Sequence, residues 1–587
     1  MKNVIIKHFN KTTGKTYLYW GHSTYIRGQK YPKVEKVSIG SIDEREEFFP
    51  NKSFLSFSAD EQLATGLVKE PYLPLYSKAS KETYETKMYG FTALLETAAK
   101  DTGVWNSLKR VYPLDWKIML SSVESMMTYP SRALYSPKHF NDVCWSSNIT
   151  PVSEPAITKA LEAIDLNSKM RFFNELEKYT AKTEVEEIAV NALDTTSIST
   201  YSSMLESAKY GKNKEGDSLP QINLLMICNA STGIPMYYRM LSGNTSDKIV
   251  IDTTIKDLKA SKFRKGVVLV LDRGFYAESN MKMLLSSNFT FLIGLPLTAS
   301  IYTKAIHESI GVITQTDNYC AAIKKQIWSK DYNIEAPRRG RGKNSYDMEI
   351  YLFFDFDKQA NEKKALIKKF SEDLERLRDN PSLAQGSNYY SKYFIIETKT
   401  IEITESNKET ADTKKTKEII VAIKSNIITQ DERFERCGYF GFLGPKGIGH
   451  EKVLYYAKNR DHIEKDYEAF KTKMRRPRHS LEEKLESKIF LVFIATILEM
   501  RIRQKMDEYL LYRIYSFNSL RDEILSTKYI KPENKTFPQG YWDTFPLKVQ
   551  KIFHIFKVVD DKLLNKDIDT IVHRELRKRK KAAGLID

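Results

Sequence analysis

Two aliphatic runs that each stop on an aspartate constrain this chain more than anything else in it: Ile188-Ala-Val-Asn-Ala-Leu-Asp194 and Val267-Val-Leu-Val-Leu-Asp272. Runs of β-branched and aliphatic residues of that length, bounded by polar residues, read as strands buried on both faces. An acid closing such a strand is held by a rigid scaffold yet faces the rim, where solvent, metal and substrate reach it. Asp194 and Asp272 are therefore the first candidates for chemistry.

The residues around them continue the pattern. Gln221 to Ala230 and Ile234 to Leu241 are further apolar runs, joined by a turn at Thr232-Gly233. Asp247 to Ala260 carries Ile249, Ile251, Ile255 and Leu258 at helical spacing, with Thr245, Ser246 or Asp247 as N-cap. Beyond Asp272 the pattern predicts a helix over Ala277 to Ser287 and a strand over Phe289 to Leu295. Three strands, helix, strand, helix, strand, with acids closing the first and fourth strands, is the element order of the ribonuclease-H-like fold.

A third acid then arrives on a helix. Tyr456 to Lys471 contains no Gly or Pro and is rich in helix formers. Steps of four and seven residues return to nearly the same helix face, so Arg460, Glu464 and Lys471 form one polar stripe. A single aspartate at a strand end is most often a turn former or a helix cap. Three acids in this order, the last between two cations at fixed spacing, point to catalysis, whereas Asp247 and Glu278 read as a cap and a first-turn acid.

With these residues in place, the sequence resembles a DDE transposase of the bacterial insertion-sequence-four type, in the branch whose last acid lies in a Y-x2-R-x3-E-x6-K motif. Arg460-x3-Glu464-x6-Lys471 matches that motif, while its tyrosine position holds Ala457 and the nearest tyrosine is Tyr456. Gly233 to Asp247, and Lys471 to Ala495 with its basic Arg-Arg-Pro-Arg-His, resemble the same family, so that the likeness spans roughly Ala189 to Leu510. The resemblance implies that Asp194, Asp272 and Glu464 hold two Mg²⁺ ions, for which Mn²⁺ substitutes, since hard carboxylate oxygens suit these ions. It further implies DNA cleavage at terminal inverted repeats, strand transfer into a target duplex, and a homodimer in the synaptic complex. Two other functions stay open: a nuclease of the same fold that does not join strands, and a DNA-binding transposase remnant without chemistry.

The rest of the chain is organised around this core. Its length suggests about four domains, and 41% hydrophobic residues are ample for buried cores. A formal net charge of +17 favours a polyanionic partner, nucleic acid first. The four cysteines are scattered without zinc-ligand spacing and read as reduced thiols. The N-terminus lacks a signal-peptide apolar core, and Ile489 to Met500, the longest apolar run, is shorter than the roughly 20 residues that span a bilayer. The expectation is a cytoplasmic protein, on the nucleoid when bound to DNA, with no membrane partner. No phosphate-cradling G-x-x-x-x-G-K-[ST] loop occurs, so no nucleotide cofactor is expected.

The expected architecture is α/β and multidomain: a ribonuclease-H-like core of mixed sheet and helices, interrupted by a β-containing insertion. Residues 1–75 read as a small β-rich module, and 76–185 as a helical region for end-DNA binding. Residues 186–297 form the first part of the core, 298–450 the insertion, 451–515 the second part with the Glu464 helix, and 516–587 a helical region with a basic tail. The 192-position gap between Asp272 and Glu464 is what requires the insertion. Within it, runs at Met348 to Phe354, Tyr393 to Glu397 and Glu418 to Lys424 read as strands, Lys358 to Arg378 as a helix, and Glu402 to Lys417 as a polar hairpin tip or disordered segment.

DNA contacts are expected from several places. Ser153 opens a helix that either reads DNA or packs. The basic loop with Arg338, Arg339 and Arg341 either grips phosphates or is simply solvated, and Trp328 either stacks on an unpaired base or belongs to the core. Lys471, Lys473, Arg475 and Arg476 follow the Glu464 helix directly and are assigned to DNA with Arg460 and Tyr456.

Overall fold

The helix Glu482–Glu508 is the spine of the molecule. Every residue from Ile489 to Leu498 is fully buried, as a helix apolar on all sides must be. It packs against the helices Gly90–Asp101 and Trp116–Thr128 and against the strand Pro235–Ser242. Among the described residues no helix is long and apolar enough to cross a membrane. The structure, a computed structural model, describes residues 3–11, 15–25, 31–43, 46–72, 83–130, 137–146, 151–183, 190–202, 204–211, 216–245, 247–260, 267–338, 342–384, 386–407, 410–477, 479, 481–533 and 539–586.

The aliphatic runs assemble into one large mixed sheet. The five strands Val190–Ser199, Gln221–Asn229, Pro235–Ser242, Val268–Leu271 and Thr290–Gly294, numbered in chain order, lie in the spatial order 3-2-1-4-5. The second is antiparallel to both the first and the third, and the fourth and fifth run parallel to the first. The helices Asp247–Ala260 and Glu278–Ser286 make the crossovers, the first at the expected bounds and the second one residue shorter at each end than the expected Ala277 to Ser287. Ile188, Ala189 and the Ser246 cap lie outside the described residues.

One expectation needs correction: Asp194 does not end its strand. Val190–Ser199 runs on past it, because Thr195 to Ser199 keep pairing with Gln221–Asn229 on one edge. Only the parallel pairing with Val268–Leu271 stops, at Leu193↔Leu271.

The insertion also differs from a separate domain. Its strands Tyr319–Cys320, Lys325–Pro337, Lys343–Phe354 and Tyr439–Pro445 extend the same sheet to nine strands. The seam is short: Ile293↔Leu443, Gly294↔Phe442 and a hydrogen bond from Leu295 N–H to the Gly441 carbonyl. The helix Phe356–Asp379 and the hairpin Phe394–Asn407/Thr410–Ser425 stand apart around a small core of Phe370, Leu377, Ala384 and Phe394. The segment expected as a hairpin tip or disorder thus lies largely in paired strands.

At the N-terminus four strands and two short helices close around Leu18, Ile39 and Phe54. The helical region that follows contributes one strand, Tyr84–Met88, which pairs with Lys528–Pro532. The C-terminal region is therefore not wholly helical, and it shares a three-stranded sheet with residues more than four hundred positions upstream. Ser153 caps its helix by accepting the Ala156 N–H at 3.3 Å, and Ile157, Ala160 and Leu161 bury that helix's inner face.

Candidate active site

The register of two parallel strands creates the site. Leu193 and Leu271 are direct partners, so the next residues, Asp194 and Asp272, stand at one level on neighbouring strands. Thr195 N–H donates to Asp194 Oδ1 at 2.7 Å and fixes that carboxylate. After Asp272 a single 3-10 turn, Arg273–Phe275, takes the chain away, anchored by buried Phe275. The side chains are 14% exposed at Asp194 and 44% at Asp272, so the pair has one wall of protein and one of solvent.

Arg460 completes the convergence. It joins the helices His450–Asn459 and Asp461–Met474, and its Nη1 lies 3.6 Å from Asp194 Oδ2 and 3.7 Å from Asp272 Oδ1. Glu464 follows one turn later, exposed and without a hydrogen-bond or ion-pair partner among the described residues. Tyr467, on the same stripe, escapes sequence analysis, although its spacing from Glu464 places it there. Its buried hydroxyl donates to the Asp194 carbonyl at 2.5 Å and to the Leu224 carbonyl at 3.3 Å, clamping the Glu464 helix onto the Asp194 strand.

The other expected contacts divide. Lys471 is half-buried and engaged. Lys473 is a correction: its side chain is 8% exposed and paired with Glu499, so it faces the spine helix and cannot meet DNA. Arg475 turns back to donate to the Pro130 carbonyl at 2.5 Å. Arg476 is held by Asp217 at 2.8 Å and the Tyr201 hydroxyl at 2.6 Å. Tyr456 packs against the main core and Tyr455, and it is Ala457, one residue on, that lines the cleft beside Asp272. Trp328 is half-buried against the main core, with its carbonyl accepting from His450 at 3.0 Å. Arg338 is exposed at a strand end, and Arg339 and Arg341 lie outside the described residues.

The donor set fits a hard divalent cation. Two carboxylates side by side at a solvent-facing rim, both already drawn to one guanidinium, are oxygen ligands of the kind Mg²⁺ takes. Among the described residues no three acidic, His or Cys side chains are gathered into a ready cage, so Glu464 is not brought together with the two aspartates in this structure.

Residues 186–500, more than half of the chain, match the family model described as "Transposase DDE domain". The chain belongs to that transposase family. A search of curated proteins finds no match for this DDE-domain transposase. Among solved structures it matches "Cryo-EM structure of piggyBac transposase synaptic complex with hairpin DNA (SNHP)" at 7% identity, covering 74% of this chain and 76% of that chain, with a TM-score of 0.30.

Beneath this cluster lies a buried acid that sequence analysis passes over. Asp466, two residues after Glu464, is fully buried beside the Cys228 thiol, and neither carboxyl oxygen has a hydrogen-bond partner among the described residues. Burial drives its pKa well above the usual carboxylate range, with the thiol pulling weakly the other way. A carboxyl whose folded pKa is raised stabilises the fold below its unfolded pKa and loses that stabilisation as pH rises toward the folded value. Asp466→Asn is therefore expected to remove Asp466's own contribution to the pH dependence, a loss of stability that sets in from about pH 4 upward. Urea denaturation of both proteins across that range checks it, and parallel pH curves refute it.

Proposed function

We propose that this transposase cuts DNA at the terminal inverted repeats of an insertion sequence and joins the freed 3′ ends to target DNA, with Asp194, Asp272 and Glu464 as its catalytic acids. The observation that carries this reading is the Leu193↔Leu271 register, which sets Asp194 beside Asp272, with Arg460 within 4 Å of both and Glu464 one helical turn away. The 3-2-1-4-5 strand order, antiparallel then parallel, supports reading the core as ribonuclease-H-like. The Arg460-x3-Glu464-x6-Lys471 spacing supports the insertion-sequence-four branch, and Ala457 departs from it.

In this reading the three acids hold two Mg²⁺ ions, or Mn²⁺ in their place. When bound, such ions lower the pKa of an attacking water and offset charge on the leaving oxygen. The chain's own residues do the rest. Asp194 and Asp272 keep their charges fixed side by side on neighbouring strands, and Arg460, already between them, takes a non-bridging phosphate oxygen with its fork of donors. Lys471, two turns along the stripe, adds a point charge to the same backbone. Two DNA ends require two such sites, hence a homodimer, acting on cytoplasmic DNA.

The test is Mg²⁺-dependent cleavage and joining of labelled DNA carrying the repeats that flank the gene. Cut and joined products establish the transposase chemistry. Cutting without joining makes the protein a nuclease of the same fold; binding without cutting in Mg²⁺ or Mn²⁺ makes it a DNA-binding remnant.

A further inference from the structure

A cleft of about 400 Å³ opens from Asp272 and Arg460 toward the insertion helix Ile427–Glu435. Its walls carry Arg273, Arg433 and Arg436, none of which has an ion-pair partner among the described residues. Two further cations of the wall are already paired: Arg460 with the two aspartates and Lys358 with Glu362, and Glu362 also accepts the Gly438 N–H at 2.9 Å. Three uncompensated guanidinium groups in one half-enclosed cleft leave a positive field that a multiply charged anion would neutralise. Half-buried Phe440 and Phe442 are among its lining residues.

Cations that track a backbone beside aromatic surface are the requirements of a single nucleic-acid strand. The volume suits one or two nucleotides and not a duplex, since about 300–1,000 Å³ is the size of a small-molecule pocket. We infer that this cleft is a single-strand channel leading away from the acids, in which Arg433 and Arg436, with Arg273 at its mouth, bind successive phosphates of one DNA strand. The inference rests on the reading of the acids as a DNA-cleaving site, and it assigns to the insertion a direct part in holding the strand next to that site.

The test uses the full-length protein without metal and a labelled single-stranded oligonucleotide of arbitrary sequence, with the matching duplex alongside. Phosphate contacts appear as the slope of log affinity against log salt, about 0.7 per contact for single strands. Replacing both residues, Arg433→Ala with Arg436→Ala, is expected to reduce that slope by about 1.4 on the single strand and by less on the duplex. The paired Arg433→Lys and Arg436→Lys variant, which keeps charge, is expected to restore it. An unchanged slope in an alanine variant with parental circular dichroism and melting overturns the channel. So does a loss confined to the duplex, or one that lysine fails to restore. Because binding is measured without metal, its outcome is independent of cleavage: a parent protein that binds through these arginines but never cuts would sink the catalytic reading and leave the channel standing.

Discussion

Asp272→Asn is expected to slow metal-dependent DNA cleavage by at least about 1,000-fold while leaving DNA affinity equal or slightly tighter. A metal ion at a phosphoryl-transfer site contributes several kcal/mol of transition-state stabilisation, and about 4 kcal/mol corresponds to three orders of magnitude in rate. Removing one of the carboxylate charges proposed to hold it forfeits most of that. The asparagine is nearly isosteric, and with 44% of the Asp272 side chain exposed the change costs the core little. Binding moves the other way because the cleft loses a negative charge facing phosphates. Gel assays of cleavage and anisotropy titrations, run on the same preparations, check both halves. Residual cleavage above about a tenth of the parent rate would remove Asp272 from the proposed ligand set.

Glu499→Ala is expected to cost about 3–5 kcal/mol of stability, the usual consequence of stranding one member of a buried ion pair. The Glu499 side chain is 5% exposed, and it holds both Lys473 and, at 2.6 Å, Arg503. Burial alone would raise its carboxyl pKa; Lys473 and Arg503 more than reverse that and hold it below the usual value. A carboxylate with a depressed folded pKa stabilises the fold above its unfolded pKa, and that contribution disappears as pH falls through the folded value. The deficit of the alanine variant should therefore be full at neutral pH and shrink below about pH 4.5. The joint replacement Lys473→Met with Glu499→Leu, which removes the buried pair and leaves only Arg503, 34% exposed and able to reach solvent, is expected to recover most of the loss. Urea midpoints of the three proteins decide the matter; a joint variant as unstable as Glu499→Ala would show that packing, not the stranded charge, sets the cost.

Where apolar periodicity is strong, the chain announces its structure. The helix Asp247–Ala260 follows from its apolar spacing, and the helix Phe356–Asp379 covers the expected Lys358 to Arg378 with a residue or two more at each end. The two aspartates and Arg460 are legible too, because aliphatic runs and a spaced motif do not depend on distant partners. What escapes depends on distant partners. Thr195 to Ser199 look polar, yet they stay in the strand because a neighbour pairs with them. The basic run after Glu464 has the charge of a DNA contact, but Lys473 is buried against Glu499, whereas exposed Arg475 and Arg476 bond to Pro130 and Asp217 at the surface. Charge is local information, and the availability of that charge is not. Arg433 and Arg436 are the converse: no motif surrounds them, and only folding carries them to the cleft beside Asp272.

The short seam at Ile293↔Leu443 and Gly294↔Phe442 has a mechanical side. It welds two plates of sheet along a line far shorter than the plates themselves. The Thr290–Gly294 strand carries the insertion on one edge and is hydrogen-bonded on the other to the Asp272 strand. Only that one strand separates the acid from the insertion.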